Sequence, residues 1–185
     1  MKGTAEVRYN YKIGHNQHLV GRMMAGAIYS YGNARISPYN EQFYIGGANS
    51  LRAFTIRSIG PGRYRPEEKN AYSYLDQTGD LKFEANLEYR FPILGDLHGA
   101  AFVDAGNIWL IREDKQRPGG QLKWGRFLKD LALDAGVGLR YDLTFIVIRL
   151  DMGIPLHVPY ETDKNGYFNV PKYKPGWHLA IGYPF

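Results

Sequence analysis

Apolar and polar residues alternate one by one along seven stretches of this chain, while helical periodicity is nearly absent. A period of two places successive side chains on opposite faces of a β-strand, so each stretch has one apolar and one polar face. The stretches cover residues 5–13, 18–31, 80–91, 97–110, 131–141, 143–154 and 177–185. The alternation predicts an all-β protein with seven strands.

The stretches are longer than ordinary strands, and the connections between them are of two kinds. Most of them are about 9–12 residues long, which exceeds the usual strand of about 5–6 residues and matches the ~9–11 residues of a tilted transmembrane strand. Long connections cover residues 32–79, 111–130 and 155–175, and short ones fall at 14–17, at 92–96 and around 142. Outer-membrane barrels alternate tight turns and extended external loops in this way. The pattern favours an antiparallel up-and-down transmembrane β-barrel over a soluble β-sandwich.

Composition excludes several other classes. The 185 residues include no cysteine, which excludes disulfides, zinc–cysteine sites and thiol nucleophiles. No apolar run approaches the ~18 residues that a membrane-spanning helix needs. The net charge of +5 comes from lysines and arginines spread along the chain, so we expect no nucleic-acid partner.

Seven strands cannot close an antiparallel barrel by themselves. Bacterial single-chain barrels have even strand numbers, and an open sheet edge cannot face lipid because its N–H and C=O groups would be unpaired. The first residues also lack the apolar core of a signal peptide. We therefore expect residues 1–185 to be the C-terminal part of a larger barrel. An isolated fragment is expected to self-associate through its sheet edges.

Five motifs follow one another between residue 43 and the last residue. Residues 43–54 read Phe-Tyr-Ile-Gly-Gly-Ala-Asn-Ser-Leu-Arg-Ala-Phe, and the later motifs read Glu-Tyr-Arg-Phe-Pro at 88–92, Phe-Val-Asp-Ala-Gly at 102–106 and Arg-Leu-Asp-Met-Gly-Ile-Pro at 149–155. The fifth is the alternation of Trp177, Leu179, Ile181, Tyr183 and Phe185.

Taken in this order, the motifs resemble those of the BamA/TamA surface-antigen superfamily of outer-membrane assembly barrels. The family's sixth-loop motif matches Gly46, Gly47, Leu51, Arg52 and Phe54, with Ala53 where the family usually has glycine. The family's Phe-x-Asp-x-Gly strand matches Phe102, Asp104 and Gly106, and the last alternation resembles its C-terminal targeting signal. The resemblance implies the last seven strands of a sixteen-stranded barrel, with preceding barrel strands and periplasmic POTRA domains upstream.

The motif arginine and two carboxylates form the candidate site. Asp104 and Glu88 lie on polar strand faces, which we assign to the lumen because a carboxylate facing lipid is costly. An arginine fork matches carboxylates in a bidentate manner. The resemblance implies that the loop at 32–79 folds into the lumen with Arg52 against Asp104 and Glu88. The alternative is a loop outside the barrel with a solvated arginine.

The resemblance implies a non-enzymatic function: insertion of unfolded outer-membrane protein clients in the bacterial outer membrane, by lateral opening and strand templating at the barrel seam. Outer-membrane lipid, the clients and accessory assembly subunits are the expected partners. The resemblance implies no cofactor, and we expect no metal because His15 and His18 at a turn lack a third ligand. A secretion or autotransporter pore of the same superfamily is one alternative, and a barrel enzyme acting on lipid is another.

Overall fold

The computed structural model describes residues 1–31, 37–66, 77–162, 166–170 and 174–185. The parts of the predicted loops at 32–36, 67–76, 163–165 and 171–173 lie outside the described residues. Every residue of the candidate site lies within them.

The described residues form one sheet of seven antiparallel strands in chain order. The predicted all-β antiparallel fold is confirmed. The strands are β1 (Lys2–Gly14), β2 (Gln17–Ile28), β3 (Leu81–Leu94), β4 (Leu97–Trp109), β5 (Ala132–Asp142), β6 (Val147–His157) and β7 (Gly176–Ile181). Among the described residues no helix has the length and hydropathy needed to cross a membrane.

Short turns join the strands at one end of the sheet, and the three long connections lie at the other. The first two turns reverse the chain within two residues, Asn16 and Gly95 taking left-handed backbone angles with φ of 56° and 55°. Asparagine and glycine adopt this conformation at little cost. The alternation of connection lengths predicted from the sequence is therefore present.

The two faces of the sheet differ in chemistry, as the alternation predicts. One face, here called the outer face, exposes apolar side chains such as Leu87, Val103, Val137 and Leu179. The opposite inner face is buried over β3 to β6 although it carries charged side chains. Both faces of β1 are exposed, because the described part of the long loop does not cover that strand.

The connection between β2 and β3 covers the inner face. Ile45, Leu51 and Ile59 of this loop pack with residues of the sheet in one apolar cluster. The cluster partners from the sheet and its rim are Ile28, Ile108, Ala132 and Val158. The loop therefore fills the space on the concave side that the strands alone would leave open.

Several strand boundaries differ from the sequence prediction by up to three residues, such as the end of β2 at Ile28 rather than 31, and two boundaries differ by four residues. β6 begins at Val147 rather than 143, because residues 143–146 form a turn in which Thr144 has φ of 72° and the Leu143 N–H donates to the Ile146 carbonyl. β7 ends at Ile181, because Gly182 has φ of 82° and turns the chain away from the sheet. The predicted continuation of the outer-face alternation to Tyr183 and Phe185 is wrong.

Candidate functional site

The segment from Gly46 to Phe54 is a compact turn that directs Arg52 at the sheet. The Gly47 N–H donates to the Phe54 carbonyl at 2.8 Å, and the Gly46 N–H donates to the Ser50 hydroxyl at 3.0 Å. Gly46 has φ of 100°, and a Cβ there would lie 2.2 Å from the Thr55 carbonyl oxygen. Only glycine fits this position, so the Gly-Gly motif shapes the loop that presents the arginine.

The Arg52 guanidinium forms a bidentate salt bridge with Asp104 on β4. Its Nε and Nη2 donate to the two carboxylate oxygens at 2.8 and 2.9 Å, and its backbone N–H donates to the same carboxylate at 3.2 Å. Nη1 donates to Glu88 on β3. The guanidinium carbon lies 3.4 Å from the centre of the Phe102 ring. Arg52 is 1% exposed, so its charge is balanced by two carboxylates and an aromatic face rather than by water.

Glu88 joins this contact to a wider set of ion pairs on the inner face. Arg90 and Arg140 donate to its carboxylate at 2.7 and 3.1 Å. Arg140 also pairs with Asp151 on β6 at 2.5 Å, and Arg149 pairs with the same carboxylate at 2.9 Å. The pairs connect β3, β5 and β6 laterally, so the site is a network across the sheet and not a single salt bridge.

Side chains of the sheet also bind the loop backbone. Arg22 on β2 donates to the Asn49 carbonyl at 2.8 Å, and Arg149 donates to the Ala48 carbonyl at 2.9 Å. Asn86 donates both to the Ser50 carbonyl at 3.0 Å and to Asp104 at 2.9 Å. The three loop residues immediately before Leu51 and Arg52 are thus held by strands β2, β3 and β6.

The loop backbone reaches the sheet at two glycines of the last two strands. A Cβ on Gly153 would lie 2.7 Å from the backbone nitrogen of Ala53, and one on Gly176 would lie 2.9 Å from the Arg52 carbonyl oxygen. The Ala53 N–H donates to Asp134 on β5 at 3.2 Å. The close approach therefore depends on glycines of the sheet and is compatible with alanine at position 53.

The structure brings most of the predicted site residues together. Leu51 and Phe54 are buried in the apolar cluster beside Arg52. Phe102 lies under the guanidinium, and Gly106 leaves room for Ile45, whose Cδ1 would lie 2.8 Å from a Cβ there. Trp177, Leu179 and Ile181 are exposed on β7, as expected of lipid-facing residues.

Tyr183 and Phe185 do not lie with those three residues. The Tyr183 ring lies 4.3 Å from the Arg90 guanidinium. The centre of the Phe185 ring lies 5.1 Å from the Arg22 guanidinium and 5.8 Å from the Arg52 guanidinium. After the turn at Gly182 the two rings face inner-face arginines, since the negative face of an aromatic ring attracts a guanidinium.

Sequence reasoning missed Arg22, Asn86, Arg140 and Arg149. All four lie at polar positions of the alternating stretches, and this was the one signal that pointed to them.

Among the described residues no group of three or more His, Cys, Asp or Glu side chains is placed to hold a metal ion.

The fold and the site together define a class: a transmembrane sheet of the outer-membrane barrel type with a loop held against its inner face by an arginine–carboxylate network. The model of the Omp85 superfamily domain matches residues 1–185, so the chain belongs to the Omp85 superfamily.

Two curated relatives carry the name outer membrane protein assembly factor BamA. The one from Nitratidesulfovibrio vulgaris is 29% identical over 156 residues, covering 84% of this chain and 18% of that protein. The one from Neisseria meningitidis serogroup B is 31% identical over 90 residues, covering 45% of this chain and 11% of that protein. The chain thus spans less than a fifth of the length of these relatives.

Solved structures show the same fold. BamA from Haemophilus ducreyi lacking POTRA domains 1–3 superposes with a TM-score of 0.60 at 17% identity, covering 98% of this chain and 34% of that chain. CdiB from Acinetobacter baumannii superposes with a TM-score of 0.52 at 18% identity, covering 96% and 26%. The seven strands therefore correspond to one portion of a β-barrel.

Proposed function

We propose that this chain is the C-terminal portion of a bacterial outer-membrane barrel that inserts other outer-membrane proteins. The observation that carries the proposal is the buried contact of Arg52 with Asp104 and Glu88, which fixes the loop beside the last two strands. The assembly-factor name of the two relatives described above supports it. The remaining barrel strands and the POTRA domains would belong to the rest of the protein.

The proposed mechanism uses the free edge of β7. This strand has six residues and pairs only with β6 among the described residues. Its unpaired N–H and C=O groups offer a template on which a client strand adds by main-chain hydrogen bonding. The loop held at Gly153 and Gly176 would keep β6 and β7 in place while the seam opens. No step in this mechanism requires a nucleophile, a cofactor or a metal.

The test uses the full-length protein reconstituted in liposomes with an unfolded outer-membrane barrel as client. Client folding is followed by its heat-modifiable gel mobility. We expect the client to fold faster with the wild type than with empty liposomes. Arg52→Ala should lower the rate of client folding at least about tenfold, which corresponds to a barrier increase of about 1.4 kcal/mol or more. Lys115→Ala, at an exposed position of the connection after β4, is the matched control and should fold the client at the wild-type rate.

The same assay separates the alternatives. Client that appears folded in the bilayer supports assembly. Client that crosses into the liposome lumen without folding in the bilayer would instead indicate a secretion pore of the same superfamily. Phospholipid hydrolysis that a single Ser or His substitution abolishes would indicate a barrel enzyme.

A further inference from the structure

A short helical segment in the connection between β4 and β5 lies on the outer face of the sheet. This 3-10 helix covers Trp124–Asp130. The Phe127 ring contacts Phe83 edge-on and stacks on Trp109, in both cases with ring centres 5.4 Å apart. Phe83 is on the same side of β3 as the exposed Leu87, which identifies the face. Trp109 is almost fully buried because the segment covers it.

The segment directs its other large apolar side chains away from the protein. Trp124 is 81% exposed and Leu128 is 70% exposed. Their neighbours Lys123, Arg126 and Lys129 are basic. The surface that results is apolar, flanked by cations, and continuous with the apolar outer face. Such a combination is typical of segments that lie in the interface of a membrane.

The depth of the segment fits an interfacial position. Phe83 is the third residue of β3 and Trp109 is the last residue of β4, so both lie at the end of the strands where the long connections emerge. Tryptophan is enriched at this level of membrane proteins, where its ring meets acyl chains and its N–H meets headgroups.

Contacts from three parts of the chain hold the segment in this position. The Asn107 side chain on β4 donates to the Asp130 carbonyl, and the Tyr167 hydroxyl donates to the Leu128 carbonyl at 3.3 Å. His157 Nε2 lies 2.9 Å from the Lys129 carbonyl oxygen. The backbone is thus fixed by β4, by β6 and by the connection that follows β6, while Trp124 and Leu128 remain uncovered.

We propose that residues 123–130 form a membrane-interface anchor that binds the external leaflet. Trp124 and Leu128 insert among acyl chains, and Lys123 and Lys129 contact lipid phosphates. The partner is a lipid surface bearing anionic phosphate groups, chosen because the apolar side chains continue the lipid-facing outer face and because the three flanking charges are positive. Arg126 lies 3.5 Å from Asp130, which places its guanidinium at the sheet side of the segment and leaves the two lysines as the outer cations.

The test places a nitroxide label on the full-length protein in vesicles of phosphatidylcholine with phosphatidylglycerol. The described chain has no cysteine, so Trp124→Cys and Leu128→Cys give defined positions once any cysteine elsewhere is replaced. Collision rates with oxygen, which concentrates in lipid, and with a water-soluble nickel complex report the environment. Gln116→Cys, at an exposed position of the same connection, is the matched control.

We expect the oxygen-to-nickel ratio at positions 124 and 128 to exceed that at 116 by about tenfold or more, the difference between lipid and water. Equal ratios at all three positions would overturn the anchor. Low collision rates with both quenchers at 124 would overturn it as well, because they would mean that protein covers the segment. Retained heat-modifiable mobility of each labelled protein shows that the barrel is folded.

A second measurement tests the cations. Lys123→Gln with Lys129→Gln should lower the oxygen-to-nickel ratio at position 128 in vesicles that contain phosphatidylglycerol, but not in pure phosphatidylcholine. Lys115→Gln, which removes one lysine charge from an exposed position of the same connection, is the control and should change neither. An effect of the same size in both kinds of vesicle would overturn the assignment of the lysines to anionic lipid.

Discussion

Arg52 holds a full positive charge where almost no water reaches, and each of its donors has a defined acceptor. Two carboxylates and the Phe102 ring surround its guanidinium group. Taking a charge out of water is costly, and the cost is offset only when geometry and partners are good. Asp104 and Glu88 are themselves fully buried, so they depend on Arg52 as much as it depends on them.

Arg52→Ala is therefore expected to destabilise the protein, because it leaves Asp104 without its arginine and removes one of the three arginines that pair with Glu88. Removing one member of a buried pair costs about 3–5 kcal/mol, and we expect the low end because water in the lumen can reach the vacated space. The free energy of unfolding in urea and detergent measures the loss. Arg52→Lys keeps the positive charge but not the bidentate guanidinium, and should therefore lose less stability than Arg52→Ala. Unchanged stability in Arg52→Ala would contradict the pairing.

Gly153→Ala tests the close approach of the loop to β6. The added Cβ would lie 2.7 Å from the Ala53 nitrogen and 2.9 Å from its Cα, so the loop must move. Overpacking of this kind typically costs about 1–3 kcal/mol, which urea unfolding should detect.

Gly3→Ala is the matched control, because it is also in a strand but has no heavy atom within 4 Å of the added Cβ. It should be neutral or slightly stabilising. Equal effects of the two substitutions would show that the loop does not press against Gly153.

Asp130, at the end of the 3-10 segment, is expected to give the stability a pH dependence. Burial raises the pKa of its carboxyl above the ordinary value, although Arg126 and Arg63 oppose this. The folded state then binds more protons at this carboxyl than the unfolded state, so the contribution of Asp130 to stability is greatest at acid pH and falls as pH rises from about 4 through the raised pKa. Asp130→Asn should remove this decrease in unfolding midpoints measured across pH.

Asp114, in the same connection, provides the opposite case. The hydrogen bond from Arg117 lowers the pKa of its carboxyl, so its contribution is present above the ordinary pKa and lost as pH falls. Asp114→Asn should therefore flatten the acid side of the profile. A wild-type profile that neither substitution alters would refute both assignments.

At the scale of elements, the alternation predicted every strand because one face meets apolar surroundings and the other meets charges. It failed where local backbone conformation decided the outcome. Leu143 and Ile146 continue the pattern, yet the left-handed Thr144 makes them part of a turn. Tyr183 and Phe185 also continue the pattern, but Gly182 and the inner-face arginines redirect them.

The site was predictable only in part for a similar reason. A local motif pointed to Arg52, and the polar strand face together with the resemblance pointed to Asp104 and Glu88; the structure has these three in contact. Arg140 and Arg149 belong to no motif, and their role depends on strand register, which places Gly138 opposite Asp151 and so leaves room for the Arg140 side chain. Register across a sheet cannot be obtained from period-two alternation alone.

Hydrogen exchange should distinguish the strands. In the isolated chain, amides of residues 81–91, 97–107 and 132–141 are expected to exchange slowly, since β3, β4 and β5 each have a neighbour on both sides and lie under or beside the loop. Residues 5–13 and 177–181 should exchange faster, because β1 and β7 each pair on one side only. Uniform protection of all seven strands would mean that the chain closes a small barrel by itself.

At the scale of the whole molecule, the sheet has two free edges that cannot pair with each other in an antiparallel manner. Strands one and seven of an up-and-down sheet run in the same direction, so closing it would require a parallel seam. Among the described residues β1 pairs with β2 alone and β7 pairs with β6 alone.

The isolated chain should consequently self-associate in dilute detergent. Unpaired strand edges template pairing with another chain, so light scattering behind a sizing column should give a protein mass of at least two copies. The full-length protein under the same conditions is the control. A monomeric fragment with protected terminal strands would rule out association through the edges.

The contacts between the β2–β3 loop and the side chains of the inner face also restrict the order in which the protein folds. Arg52 and Asp104 are 52 residues apart in the chain, and the contacts of Arg149 with Asn49 and Ala48 join residues 100 and 101 apart. Contacts between such distant residues require most of the intervening chain to be in place before they form. The loop between β2 and β3 is synthesised before β3 to β6. Its contacts with Arg149 can form only after β6 has added to the sheet. The ion pairs and hydrogen bonds of the loop can therefore all form only after β6 has paired with β5. A folding intermediate that lacks β6 would have a loop without its contacts to Arg149.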